Sequence, residues 1–181
     1  MDGAEPPLGV WALIASDVRA KAAWVYGAAT RRNVIKTLLT DGTFAMLVYR
    51  FMQWCQAHRL APLAMVFNKL NGFFGRCIIG RGACFGPDFV LIHSYGVVIN
   101  TRVRGGRGVK IEHLVTIGAE RSESPTLGDD VFIGAGAKIV GAVRIGSHVK
   151  IGANAVVVED IPDGATAVGV PARVIRRDNQ E

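Results

Sequence analysis

Cysteine is scarce in this chain: three in 181 residues, Cys55, Cys77 and Cys84, with no CxxC pair among them. An odd number without that spacing argues against a disulfide framework and against the common zinc motifs, and suggests buried thiols in a reducing compartment. Long apolar runs are also missing. No window approaches the ~18 apolar residues of a membrane span, and the best, residues 44–55, is interrupted by Arg50 and Gln53. The first residues carry Asp2 and Glu5 ahead of Pro6 and Pro7, unlike the positively charged start of a secretion signal. A cytoplasmic location is therefore expected. Aromatic residues are 8% of the chain and form no ladder, so nucleic-acid binding is not expected despite a formal charge of +6 and a pI near 9.6. That charge suits another anionic partner, such as a phosphorylated cofactor. The spacing of His93, His113 and His148 lacks the close pair of a dedicated zinc site, and no metal is expected.

What the chain does have is a period. Cut every six residues, residues 127–162 read LGDDVF IGAGAK IVGAVR IGSHVK IGANAV VVEDIP, and the first column is Leu127, Ile133, Ile139, Ile145, Ile151 and Val157. A fixed six-residue period with small residues beside the aliphatic file is the sequence form of a parallel β-helix, in which three hexads make one triangular coil. Hydrophobic residues at 50% and charged residues at 20% fit a folded chain. The 22 glycines exceed the usual ~7%, and the excess falls in the repeats, where corners need it.

Ahead of the repeats the period is helical. Trp11, Ile14, Val18, Ala22 and Val25 predict an amphipathic helix over residues 10–25 with Asp17, Arg19 and Lys21 outside. A short helix over 32–39 is stopped by Asp41-Gly42, Thr43 offers an N-cap for residues 44–57, and Pro62 opens a helix to about Lys69 that Asn71-Gly72 ends. These helices should cover the first coil of the solenoid, since a terminal repeat needs a cap. The expected organisation is a helical cap over 1–72, a hexapeptide solenoid over 73–168 and a C-terminal tail over 169–181.

Two interruptions mark candidate functional positions. Ile79, Phe85 and Leu91 are in step, but Ile99, Gly105, Ile111 and Ile117 follow two residues late, so an extra pair sits around residues 93–96. Ile117 and Leu127 are ten apart, which leaves four extra residues in AERSESPT as a projecting loop. An irregularity that re-aims a side chain is common beside functional sites. His93 lies on the first irregularity, His113 on the following coil, His148 in the regular region and His58 in the cap.

The segments IHSYGVVIN, VTIG, VFIGAGAKIVG, VKIGANAVVVEDIP and ATAVGVPARVI resemble the hexapeptide-repeat acyltransferases over residues 79–176, and most closely the serine acetyltransferase branch with its polysaccharide-modifying relatives. SDVRA and MLVYRFMQW carry the resemblance more weakly into the helical front. The resemblance implies a mainly β fold, a left-handed parallel β-helix with an N-terminal α-helical cap, assembled as a homotrimer with acetyl-CoA between subunits. It also implies that His93 is the general base. The family's CoA contacts fall on Ala119, Ala135, Ala153 and Arg173, the alanines being equally suited to plain corner and core roles.

This sequence departs from the serine enzymes at three places. Ile92 stands where they carry an aspartate before the histidine, Ile78 where an aspartate orients it, and Ser124 where a second histidine precedes a proline. The long C-terminal tail of that branch is not expected. His113 in IEHLVTIG resembles the sugar-acetylating relatives, so His113 is expected to position the acceptor or assist His93, with Asp88 or Glu112 supplying the missing carboxylate. The leading expectation is therefore an acetyl-CoA-dependent O-acetyltransferase acting on a sugar or other small hydroxyl compound in exopolysaccharide or capsule synthesis. The alternatives are a serine acetyltransferase of cysteine synthesis and a non-catalytic solenoid used for assembly.

Overall fold

The structure, a computed structural model, describes residues 8–121 and 123–177. Four helices come first: α1 (Val10–Tyr26), α2 (Arg31–Leu38), α3 (Thr43–Ala57) and α4 (Ala61–Phe73). Short strands then wind into coils of three. The first coil is β1 (Ile78–Ile79), β2 (Cys84–Phe85) and β3 (Val90–Leu91). The second is β4 (Val98–Ile99), β5 (Arg104–Gly105) and β6 (Lys110–Ile111), and the third is β7 (Thr116–Gly118), β8 (Thr126–Leu127) and β9 (Phe132–Ile133). The fourth is β10 (Lys138–Val140), β11 (Arg144–Ile145) and β12 (Lys150–Ile151). After β13 (Val156–Val157), Ile161 bridges to Ile145 and β14 (Ala165–Val168) stacks on β12, so the solenoid continues past Pro162, where the hexad period stops. β15 (Arg173–Arg177) then folds back antiparallel on β14.

Every strand pair between coils is parallel, and the three faces form three sheets. Register keeps each inward side chain above its equivalent: Leu91, Ile111, Ile133 and Ile151 on one face, Ile79, Ile99, Ile117 and Ile139 on another, all essentially inaccessible. Burying each such side chain contributes about 1.5–3 kcal/mol. On the third face the file Phe85, Gly105, Leu127, Ile145 breaks at Gly105 for a packing reason: a Cβ there would collide with the ring of Phe85 in the coil below. Phe85 itself stacks on Phe89 with ring centroids 4.5 Å apart, beneath Tyr49.

The helices close the open end of the first coil, whose strands have no preceding coil to bond. Each face receives a polar side chain from the cap, because an unpaired strand edge must be satisfied or covered. Asn68 Nδ2 donates to Ile79 O (2.7 Å) on the β1 face. Tyr49 Oη accepts from the Phe85 N–H (3.0 Å), while Arg50 donates to Phe85 O (2.8 Å) and Gly86 O (2.6 Å). Asp17 accepts from the Phe89 N–H (2.9 Å), and Lys21 Nζ donates to Leu91 O (2.8 Å).

This geometry corrects the amphipathic reading of α1. Asp17 and Lys21 are buried with Val18 and Ala22, whereas Trp11 and Val25 are exposed; only Arg19 points outward as its pattern predicts. Asp17 is held by Arg50 through two charge-assisted bonds of 2.6 and 3.0 Å. Two helix ends also differ. Gly42, in the left-handed region, caps α3, and Thr43 lies inside the helix with its hydroxyl donating to Thr37 O. α4 runs through Asn71-Gly72 because Asn71 is buried and its amide donates to Ala45 O, which offsets the turn preference of the pair. Of the cysteines, Cys55 and Cys77 are buried and Cys84 is exposed.

Candidate active site

The site forms at the corner between the β3, β6, β9, β12 face and the β4, β7, β10, β13 face. Corners at this edge stack through backbone bonds: Leu114 N–H to Tyr95 O (2.9 Å), Gly136 N–H to His113 O (2.9 Å) and Asn154 N–H to Ala135 O (2.8 Å). His113, Ala135 and Ala153 therefore occupy equivalent places on successive coils. Four residues separate the strands at the upper corners; the lowest has six, residues 92–97. The two extra residues push His93 off the stack into solvent, beside His113, with ring centroids 5.9 Å apart and nearly perpendicular.

Opposite His93 lies a residue of the cap. Asp41 sits in the turn between α2 and α3, and its Oδ2 is 3.1 Å from His93 Nδ1. Two local features place it. Gly42 has φ +78, and a Cβ there would lie 2.5 Å from Leu91 O, so only glycine lets the turn approach β3 this closely. Lys21 Nζ then donates both to Asp41 O and to Leu91 O, tying the turn to the strand that leads into His93. Burial pushes the Lys21 ammonium down to about 8, with the Asp41 carboxylate opposing that shift. Because Asp41 can only accept, it selects the tautomer with the proton on Nδ1 and leaves Nε2 as the basic nitrogen.

His113 has a carboxylate of its own, Glu112 Oε2 at 3.5 Å from Nδ1. Of the two carboxylates expected to serve His93, Glu112 belongs to His113. Asp88 stands at a different corner, bonded to the Ser16 hydroxyl and 3.6 Å from Arg107. Asp41 was not singled out by sequence reasoning, which took Asp41-Gly42 as a helix stop. The available signal was that it is the only acidic residue between Asp17 and Asp88. Ile92 is buried, so no side chain before His93 faces the site.

The structure brings His93 and His113 together and puts Ala135 and Ala153 on the column above them. Ala119 stands one corner further on, at the root of the projecting loop. In that loop Glu120 and Glu123 pair their backbones, and the Ser124 hydroxyl donates to Asn100 Oδ1 (3.0 Å). Arg173 is exposed at the start of β15, 3.2 Å from Glu159. His148 is exposed near Asp130, and the His58 ring lies on Trp54. Among the described residues, no cluster of three His, Cys, Asp or Glu side chains could hold a metal ion, and no helix is long and apolar enough to cross a membrane.

A three-sided parallel solenoid with a histidine and carboxylate at a coil corner is the architecture of a hexapeptide-repeat transferase, and the bacterial transferase hexapeptide (six repeats) family matches residues 124–158. A serine acetyltransferase of Helicobacter pylori is 41% identical over 154 residues, covering 83% of this chain and 90% of that one. One from Bacillus subtilis is 34% identical, over 80% of this chain and 69% of the other. The crystal structure of Neisseria gonorrhoeae serine acetyltransferase superposes with a TM-score of 0.84 at 31% identity, covering 95% of this chain and 68% of that one. A serine acetyltransferase in complex with CoA gives 0.84 at 29%, covering 92% and 69%. The chain belongs to the serine acetyltransferase family. Membership makes it an acetyl-CoA-dependent O-acetyltransferase.

Proposed function

We infer that the chain transfers the acetyl group of acetyl-CoA to the hydroxyl of L-serine, with His93 as general base. The observation that carries this reading is the Asp41 carboxylate 3.1 Å from His93 Nδ1, in a chain so similar to serine acetyltransferases. In this reading Nε2 takes the hydroxyl proton as the oxygen attacks the thioester carbonyl. The new C–O bond forms, the C–S bond breaks, and the imidazolium returns the proton to the departing CoA sulfur. Asp41 steadies the imidazolium between those steps. Acetyl-CoA lies along the column of Ala135 and Ala153, where small side chains let its pantetheine reach the backbone, with Ala119 and Arg173 as further contacts and the subunits arranged as a homotrimer. Release of Arg173 from Glu159 frees its guanidinium for a phosphate.

A sugar hydroxyl is the second reading, favoured by buried Ile92 and by Ser124, which together leave few charged groups for an amino acid's ammonium and carboxylate. The deciding measurement is CoA released from acetyl-CoA with L-serine or with a panel of sugars and nucleotide sugars. Serine-dependent release is expected; release driven only by a sugar replaces the acceptor. With the true acceptor, His93→Ala lowers kcat by ~10²–10⁴ while CoA binding persists. Asp41→Asn lowers kcat by ~10–10² at unchanged KM, as a group that orients and stabilises the base rather than binding substrate, and Asp41→Glu recovers part of the loss. Full turnover in His93→Ala removes it from the mechanism.

A further inference from the structure

The corner that carries His93 belongs to a column that starts at the cap. The same backbone bond joins coil to coil along it: below Asn154 N–H to Ala135 O, Gly136 N–H to His113 O and Leu114 N–H to Tyr95 O, the series ends with Gly96 N–H to Arg76 O (2.9 Å). From the cap upward the equivalent places are therefore held by Arg76, Tyr95, His113, Ala135 and Ala153. The proposed path of acetyl-CoA takes the upper, alanine part. His93, displaced by the two extra residues of its corner, stands beside His113 in the middle. Tyr95 and Arg76, the lower two, have no part in that reading.

A pocket of about 430 Å³, of the size that holds a small molecule, opens at this lower end. It is lined by Arg76 and Cys77 from the link between α4 and β1, by Tyr95 and Gly96 from the longer corner, and by Ile78 and Val98, which point outward from β1 and β4. The pocket adjoins the candidate catalytic pair. Burial, with the Asp41 carboxylate adding to it, pushes the Cys77 thiol up to about 12, and the same carboxylate meets His93. The Arg76 guanidinium is exposed and lies 6.0 Å from the centroid of the Tyr95 ring, and among the described residues no carboxylate pairs with it. Its backbone is in the left-handed region, φ +50, uncommon for a residue other than glycine, and the bond from Gly96 holds it there. A guanidinium placed against an aromatic ring keeps its fork of N–H donors for a planar partner, and a carboxylate fits that fork.

We propose that this pocket receives the acceptor, and that Arg76, supported by Tyr95, binds a carboxylate of the acceptor while its hydroxyl meets His93. The proposal rests on the acetyl-transfer reading and deepens it, by supplying a cation where the departures at Ile92 and Ser124 leave few charged groups. L-serine meets the requirement, and so does a uronic acid; a neutral sugar does not. Position selects this anion over the phosphates of acetyl-CoA. Successive coils lie about 4.8 Å apart, so Arg76 stands roughly 10 Å below His113, whereas Ala135 and Ala153 lead the cofactor the other way. A neighbouring subunit of the proposed homotrimer that closed this corner would add a wall to the pocket. The rival it offers is a carboxylate of its own for Arg76.

The test measures CoA release with acceptors in pairs that differ at the carboxylate, L-serine against L-serinamide and D-glucuronate against D-glucose. The carboxylate member of one pair is expected to be the better acceptor. Arg76→Met, at an exposed position and expected to fold, should raise its KM by ~10–10² with kcat nearly unchanged, as the loss of a charged hydrogen-bond donor that acts on binding. The KM values for acetyl-CoA and for the uncharged member should stay as in wild type, and Arg76→Lys should recover part of the loss. An equal effect on both members, or none on either, overturns the proposal and leaves the role of His93 standing. A variant of lower mass by light scattering, with an unchanged KM for the carboxylate acceptor, gives Arg76 to a neighbouring subunit and also overturns it. If no acceptor drives release, the acetyl-transfer reading fails separately, and calorimetric titration of wild type and Arg76→Met with L-serine and D-glucuronate decides on the pocket. Binding weakened about tenfold or more in the variant supports it; no binding, or equal binding to the two proteins, overturns it.

Discussion

The cap and the solenoid solve the same problem, an edge of backbone that must be buried or bonded, by opposite chemistry. Inside the solenoid each coil bonds the next, and the interior needs only aliphatic side chains in register, as in Leu91, Ile111 and Ile133. At the first coil there is no earlier coil to bond. There the cap sends Asn68, Tyr49, Arg50, Asp17 and Lys21 inward to bond the strand edge one group at a time. The difference teaches where charge can be buried usefully: at the single layer where a repeat has lost its neighbour. It also positions the candidate catalytic pair, because Lys21 seals β3 and holds the Asp41 turn with the same ammonium.

The comparison can be broken most forcefully at Arg50. Arg50→Met leaves Asp17 buried without its partner and strips donors from Phe85 O and Gly86 O, so a loss of about 3–5 kcal/mol is expected in denaturant unfolding. A loss below ~1 kcal/mol would mean that apolar packing, not polar closure, holds the cap. Within the solenoid, Ile111→Ala removes one member of an aliphatic file and should cost about 2–5 kcal/mol, depending on how far Leu91 and Ile133 collapse into the space. Here amide exchange should rise in the coils around Ile111 while the cap bonds stay protected.

The smallest effect is a pH dependence at Lys21. Its folded ammonium titrates near 8, below the ordinary 10.5, because burial disfavours the charge. Between those values the unfolded chain holds more protons at this group than the folded one, so its contribution to stability rises with pH from about 8 to 10.5 and is flat below. Comparing the melting temperatures of wild type and Lys21→Met across that range isolates the slope. Equal slopes would show that the ammonium keeps its ordinary affinity for the proton inside the cap.

The solenoid was largely legible in advance. The hexad file, the two-residue delay before Ile99 and the loop before Leu127 each correspond to strands, a longer corner and a projecting segment. The cap was legible as four helices but not in its faces. An amphipathic pattern assumes that charge faces water, and α1 reverses this because the groups it covers are backbone donors and acceptors. The site was half legible. His93 stood out because the period failed there, whereas Asp41 lay in a turn with a sufficient local explanation and nothing to connect it with a residue fifty-two positions away. The acceptor was not legible: the departures at Ile78, Ile92 and Ser124 say what is missing and not what replaces it, so serine is proposed from the relatives and not from the residues.

By itself the sequence determined the repeat, its coil length, the order of cap before solenoid and the place where the repeat yields to a histidine. These follow from side-chain period, which is local and additive along the chain. Only the tertiary structure decided that Asp17 and Lys21 go inward, that Asp41 meets His93, and that Ala119 stands apart from the column of Ala135 and Ala153. Those outcomes depend on which backbone groups the first coil leaves unpaired and on how closely Gly42 lets a turn approach Leu91, relations in space that a linear period does not carry.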